Sequence, residues 1–261
     1  MNDSWQSGIA YDRFMGRWSA LIAQKFLHWL AIPRASSWLD VGCGTGSLTH
    51  LILQTQKPKE IISIDSSGDF ISHAQRSITD PVVHFKVGLA QSLELESNSI
   101  DAVVSGLVLN FVPQPEAAVL EMLRVAKPGG TIGIFLWDYA EGMQMLRYFW
   151  DAAIELDDKA KELDEGVRFP LCREGRLESL VRTAGLKEVE AAPIEVETLF
   201  QNFDDYWQPF LSNVGPAPGY AASLNQEQRQ RLEEKLRMSL PVGHDGSISI
   251  MARAWAVKAI A

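Results

Sequence analysis

Two cysteines, Cys43 and Cys172, are all that the 261 residues contain. That excludes a disulfide framework and points to a reducing compartment, with the cytoplasm as the expected location. Histidine is also sparse, at five, and no set of histidine, cysteine and carboxylate residues has metal-ligand spacing, so no metal is expected. Long hydrophobic runs are missing. Asp3, Asp12 and Arg13 interrupt the N-terminal stretch, so neither a signal peptide nor membrane insertion is expected. Basic residues are in deficit, 24 Lys and Arg against 33 Asp and Glu, for a net charge of −9. Nucleic acid and anionic membranes suit such a field poorly, because each phosphate contact would be made against it; a small-molecule acceptor fits better. Repeats and low-complexity tracts are absent.

Apolar residues are plentiful, at 46% with eight tryptophans. The chain is long enough for one large domain or two small ones, and a single elaborated domain over 1–261 is expected. Between Ser36 and Val189 short β-branched runs alternate with segments of helical period, the pattern of a doubly wound α/β fold with a parallel sheet. Strands are predicted at 37–41, 61–65, 82–87, 100–104 and 131–137. Helices between them show apolar faces at Leu48, Leu51 and Ile52, at Phe70, Ile71, Ala74 and Ile78, and at Ala117, Leu120, Leu123 and Arg124 before the turn Lys127-Pro128-Gly129-Gly130. Beyond Trp137 the alternation loosens, with a helix predicted around 177–184 and strands at 186–196 and 247–258. Residues 36–137 form the core of this reading. The insertions 138–170 and 198–246 are aromatic and helical in period; the first leaves a strand on the side where such sheets bind ligands, the second lies on that side if the last strand is antiparallel, and both are then expected to cap the acceptor site. Residues 1–30, with Phe14, Trp18, Leu21, Ile22, Phe26 and Trp29 at near-helical spacing, are either a third cover or a helix packed at the sheet edge.

The chemistry is carried by Trp38-Leu39-Asp40-Val41-Gly42-Cys43-Gly44-Thr45-Gly46-Ser47. Three glycines at alternate positions follow a strand and precede a helix, where the chain must turn sharply and a ligand must approach the main-chain N–H groups. A dinucleotide loop needs its third glycine one position later, and that residue is Ser47. Cys43 need only be small, and no redox role is assigned to it. Asp65, nineteen positions after Gly46 and closing the second strand, can accept two hydrogen bonds from a ribose diol; its other reading is a strand-end or helix-capping aspartate.

The compact Gly-x-Gly-x-Gly spacing resembles the first motif of the class I S-adenosylmethionine-dependent methyltransferases. Val87-Gly88-Leu89-Ala90-Gln91-Ser92-Leu93 is similar to the family's adenine-contacting segment, Ser99 to Val104 to its fourth strand, and Leu123 to Gly130 to the lead-in of its fifth. The nearest subgroup is the small-molecule one, such as the quinone-biosynthesis C-methyltransferases. The resemblance implies a mostly parallel seven-stranded sheet with an antiparallel last strand. It also implies S-adenosyl-L-methionine as cofactor and S-adenosyl-L-homocysteine as product, and the aromatic residues of the insertions suit a small, planar or lipophilic acceptor. The cofactor residues it implies are Tyr11, Asp40, Gly42, Cys43, Gly44, Gly46, Asp65, Ser66, Leu89, Ala90, Gln91, Ser105 and Leu107. Where many relatives carry an aspartate for the adenine amine this chain has Leu89, leaving that contact to Gln91 or a backbone carbonyl.

The sulfonium methyl is already activated, so the protein must chiefly align the acceptor and exclude water, with a base where the acceptor carries a proton. Of the histidines only His244, just before the last strand, falls on the ligand side; it is either a base or a solvated loop residue. Asn110 after the fourth strand and Asp138 after the fifth are the other catalytic candidates, with turn and helix capping as their alternatives. Trp137, Tyr139, Tyr206 and Trp207 are candidates to line the acceptor site, or else core residues. Three rival readings stand beside methyl transfer: a binding protein of the same fold without catalysis, a nicotinamide-dependent oxidoreductase, and a methylase of nucleic acid or protein. Ser47 and the final strand speak against the second. Leu109-Asn110-Phe111-Val112, which offers no base-reading tetrad, speaks against the third.

Overall fold

The computed structural model describes residues 15–212 and 215–261. In chain order the elements are α1 (Arg17–Leu30), β1 (Ser37–Val41), α2 (Ser47–Gln56), β2 (Glu60–Asp65), α3 (Gly68–Ser77), β3 (Val83–Val87), β4 (Ile100–Gly106), α4 (Pro115–Val125) and β5 (Ala126–Trp137). There follow α5 (Gln144–Leu156), α6 (Glu165–Arg168), α7 (Arg176–Thr183), β6 (Lys187–Phe200), α8 (Phe203–Trp207), α9 (Pro216–Ser223), α10 (Gln226–Ser239) and β7 (Ile248–Ile260). The chain divides into two compact units. One comprises Ala20–Leu136, Glu174–Ile194 and Trp255–Ala261; the other comprises Trp137–Arg173 and Glu195–Ala254 with residues 15–19.

The seven strands hydrogen-bond in the order β3-β2-β1-β4-β5-β7-β6. β1 lies parallel between β2 and β4, and all five of its residues are buried, as a strand covered on both faces requires. β4 and β5 are parallel as well. β7 runs the other way: Ala261 N–H donates to Gly130 O, and Asp138 N–H to Arg253 O. Ion pairing of Lys258 with Glu190 and of Arg253 with Glu195 sets β6 antiparallel to β7 in turn. The sheet is therefore mostly parallel, with β7, the last strand, antiparallel to both its neighbours, as the resemblance implied.

Local chemistry explains where the expected elements shifted. β4 continues two residues beyond Val104, to Gly106. The Lys127-Pro128-Gly129-Gly130 stretch lies inside β5, where the pairing slips from Ile100 opposite Ala126 to Ala102 opposite Thr131, and Gly129 takes the left-handed φ of 80° that this bulge needs. The face of α4 is rotated relative to the expected one: Ala118, Val119, Met122 and Val125 are buried while Leu120 is 52% exposed. Glu121 and Arg124 on its flank turn to a neighbouring loop, which fixes that rotation. Over residues 20–30, α1 packs on the sheet face. The Phe26 ring lies 4.6 Å from that of Phe135, and a Cβ at Gly133 would come within 2.9 Å of the Leu30 and Phe26 side chains, so glycine there permits the close approach.

The other unit has an aromatic centre of its own. Phe149 stacks on Phe210 at 4.5 Å and stands edge-on to Trp150 and Tyr220. Its buried charges are paired: the Arg147 fork grips Asp164 at 3.0 and 2.5 Å, and Arg253 holds Asp138 at 2.7 and 2.8 Å. Glu165 is buried and accepts from the Trp150 indole N–H.

Candidate functional site

All three loop glycines are left-handed, with φ of 77° at Gly42, 54° at Gly44 and 89° at Gly46, a region that side chains other than glycine's seldom enter. Space excludes a Cβ at Gly42, where it would meet Val108 at 2.4 Å, and crowds one at Gly46, where Ile78 would lie at 3.0 Å. Gly44 differs, since nothing lies within 4 Å of a Cβ there. The back of the loop is thus packed and its tip is clear. Gly42 and Cys43 N–H both donate to Ile64 O, which ties the loop to β2.

The carboxylate at the end of β2 completes this tie. Asp65 Oδ2 accepts from Gly44 N–H at 2.9 Å and Oδ1 from Ser67 N–H at 2.8 Å. A carboxylate oxygen has two acceptor positions, so each retains one for a hydroxyl. Beneath the loop Asp40 is 1% exposed. Its Oδ2 accepts from the Thr49 hydroxyl at 2.7 Å, that hydroxyl lies 2.8 Å from Ser63 Oγ, and Asp40 Oδ1 has no partner. Burial pushes the Asp40 carboxyl up to about 7; the Asp65 charge adds to the shift and the Thr49 hydroxyl opposes it. Burial, with Asp40 and Asp65 nearby, likewise raises the Cys43 thiol well above its ordinary value. Thr49, Ser63 and Val108 were missed by the sequence reading. Only the spacing of Thr49 on α2, one turn past Gly46, could have signalled any of them.

The structure brings the expected cofactor residues of this unit to the same ends of β1, β2, β3 and β4. Gly88 N–H donates to Asp65 O at 2.9 Å, which hangs the turn Leu89 to Ser92 beside the Asp65 carboxylate; the turn closes by Ser92 N–H to Leu89 O. Leu89 is 57% exposed, Ala90 and Gln91 are half-buried and Ser66 is exposed. Ser105 is buried and donates its hydroxyl to Val41 O, joining the ends of β4 and β1. Leu107 follows at a φ of 62°, a conformation a leucine holds at a cost of about 1–3 kcal/mol. Asn110 Nδ2 is buried without a partner. A groove of 560 Å³ at the β3 edge, lined by Gln75, Asp80, His84 and Lys86 among others, includes none of the expected site residues.

Asp138, Trp137, Tyr139, Tyr206, Trp207 and His244 all belong to the other unit. Asp138 is engaged by Arg253 and by Glu141 N–H. Trp137, Tyr139, Tyr206 and Trp207 are buried, and Tyr206 donates its hydroxyl to Met145 O at 2.9 Å. His244 is exposed in its turn. Tyr11 lies outside the described residues. Among the described residues no group of three or more His, Cys, Asp or Glu is arranged to hold a metal ion, and no helix is long and apolar enough to cross a membrane.

Residues 39–134 match the family model described as a methyltransferase domain. An uncharacterised methyltransferase of Schizosaccharomyces pombe is 29% identical over 147 residues, 53% of this chain and 57% of that protein. The ubiquinone/menaquinone biosynthesis C-methyltransferase of Bartonella tribocorum is 34% identical over 109 residues, 39% of this chain and 42% of that protein. Among solved structures, phosphoethanolamine N-methyltransferase 2 of Haemonchus contortus, in complex with phosphomonomethylethanolamine and S-adenosylhomocysteine, aligns with a TM-score of 0.60 at 17% identity. The alignment covers 97% of this chain and 56% of that one, and at such identity the likeness is one of fold. The chain spans about half the length of the curated relatives it matches. The glycine loop, the Asp65 contact and the strand order thus lie within or around residues 39–134, the stretch that matches a methyltransferase domain.

Proposed function

We propose that this chain binds S-adenosyl-L-methionine at the glycine loop and transfers its methyl group to a small, planar or lipophilic organic acceptor, releasing S-adenosyl-L-homocysteine. The observation that carries the reading is the Gly44–Asp65 hydrogen bond, which sets a carboxylate with spare acceptor positions beside the clear tip of the loop. The residues present fit the cofactor. Asp65 takes the ribose hydroxyls, the main chain of Gly42 to Gly46 takes the amino-acid portion, and Leu89, Ala90 and Gln91 take the base. Ser105 and Leu107 shape the β4 end of the site, and the buried Asp40 supports the loop from below. Once bound, the cofactor supplies a methyl on a sulfonium that needs no further activation.

Asn110 is the side chain we place nearest the acceptor. A buried amide N–H without a partner costs roughly 1–3 kcal/mol, and such atoms cluster where a ligand completes them; Asn110 Nδ2 is one. An acceptor of modest charge suits the net charge of −9, and the quinone C-methyltransferase relative acts on acceptors of the proposed kind.

Asp65→Ala tests the reading. Loss of both ribose bonds is expected to weaken S-adenosylhomocysteine binding by about 2–3 kcal/mol in calorimetry; unchanged affinity removes the ribose assignment. Incubating the wild type with S-adenosylmethionine and a panel of quinols, phenols and small amines should release S-adenosylhomocysteine. Tight cofactor binding with no release across the panel would favour a binding protein of the same fold.

A further inference from the structure

The turn Leu89 to Ser92 has no regular strand or helix to hold it, yet both its ends are fixed. On one side Gly88 N–H is bonded to Asp65 O. On the other, two side chains of α4 close on the main chain: Glu121 Oε2 accepts from Leu93 N–H at 2.7 Å, and Arg124 donates to Leu93 O at 2.8 Å and Leu95 O at 2.9 Å. Arg124 also reaches Ser97 Oγ at 3.2 Å and grips Glu121 itself at 2.6 and 2.9 Å. One guanidinium thus uses its fork to bind a carboxylate and two carbonyls about thirty residues away in sequence, a geometry that a lysine's point charge cannot reproduce. The Arg124 contact, and the Leu93 amide with it, hold the Glu121 carboxyl below its ordinary range, so the pair stays charged. The Leu93 side chain is buried beside this clamp, while the tip of the turn presents an exposed Leu89 and half-buried Ala90 and Gln91.

We propose that Glu121 and Arg124 are positioning residues for recognition of the purine base: without touching the ligand, they set the height and orientation of the Leu89–Gln91 turn against the ribose carboxylate. The inference rests on the cofactor reading given above and goes beyond it, since it assigns base discrimination to a clamp on the far side of the turn. Packing alone would not need this arrangement. A turn held only by the Leu93 side chain could rock about it, whereas bonds to both the Leu93 N–H and its C=O fix the two peptide planes that flank Leu93 and so anchor the chain two residues past Gln91. Discrimination between a 6-amino and a 6-oxo purine depends on how the Leu89–Gln91 turn held by that anchor presents its groups, since donor and acceptor exchange places between the two.

The test is calorimetric titration of the full chain with S-adenosylhomocysteine and with S-inosylhomocysteine, for the wild type and for Glu121→Gln, Arg124→Gln and Arg124→Lys, each at a temperature below its own unfolding transition. The wild type is expected to prefer the adenosyl compound. In all three variants its Kd should rise on the order of tenfold while that of the inosyl compound changes little, so that the preference collapses. Arg124→Lys should behave like Arg124→Gln, because the fork and not the charge is needed. If the variants weaken both ligands by the same factor, or keep the wild-type ratio, the clamp is merely structural and the proposal is overturned. Failure of the wild type to bind either compound would sink the cofactor reading itself, and this inference with it.

Discussion

The two units differ in how their carboxylates are held. At the glycine loop Asp40 Oδ1 has no partner and Asp65 accepts one bond on each oxygen; in the same unit Asn110 Nδ2 is unpartnered and Leu107 sits at a φ of 62°. In the aromatic unit the carboxylates are closed off, Asp164 by the Arg147 fork, Asp138 by Arg253 and Glu165 by the Trp150 indole. Rings there meet rings, and the Tyr206 hydroxyl is used on a backbone carbonyl. Unsatisfied atoms and strain are costs a fold tolerates where a ligand will relieve them; closed ion pairs and interlocked rings are what a core needs to stay put. Arg147 Nε and the Trp137 indole N–H are also unpartnered in the aromatic unit, so the contrast is one of carboxylates, and it supports the binding role proposed for the glycine-loop unit.

Three changes would break or sharpen it. The largest effect is expected from Arg147→Met, which leaves Asp164, 4% exposed at its side chain, without its cation. Thermal or urea unfolding should register a loss of about 3–5 kcal/mol, while the folded fraction keeps its affinity for S-adenosylhomocysteine; a fall in affinity would mean that the units do not divide binding from rigidity. Next is pH. Burial pushes both Asp40 and Glu165 up to about 7, so the folded state holds protons that the unfolded state has already released between about pH 4 and 7. Stability should therefore fall as pH rises through that window and level off above it, each group accounting for something on the order of 3 kcal/mol. Asp40→Asn should remove about half of that slope in unfolding titrations, leaving the Glu165 share; an unaltered slope would mean that Asp40 is ionised throughout. The smallest effect belongs to Tyr206→Phe, which deletes only the bond to Met145 O. It should cost about 1 kcal/mol of stability and leave both cofactor affinity and turnover alone, and a change in turnover would return Tyr206 to the acceptor site.

The parallel strands were legible because each carries a β-branched run between turn formers, and the loop because its three glycines take a left-handed φ that glycine favours. The face of α4 was not. Leu120 has the larger apolar side chain, yet Val119 is buried and Leu120 is turned out, because Glu121 and Arg124 are committed to a loop that no helical period reveals. Asp65 could be singled out from its place at the end of a strand, but its bond to Gly44 N–H depends on how β2 and the loop meet. Ser63 and Val108 carried no signal, since their part is to approach the Thr49 hydroxyl and to press on Gly42, and both depend on folded distance. The aromatic insertions were visible as composition. Composition cannot say whether rings face a ligand or one another, and here Phe149, Phe210 and Tyr206 face one another.

The placement of β7 bears on how the molecule comes to be folded. This strand follows all the others in sequence but lies between β5 and β6, so during synthesis β5 and β6 wait with open edges until Ile248–Ile260 emerges. Sheets completed by such distant pairings form slowly, and an open edge is a template for pairing with another chain. The nascent protein is thus most exposed to misassembly in the interval between translation of β6 and arrival of β7, whose insertion seals both edges at once.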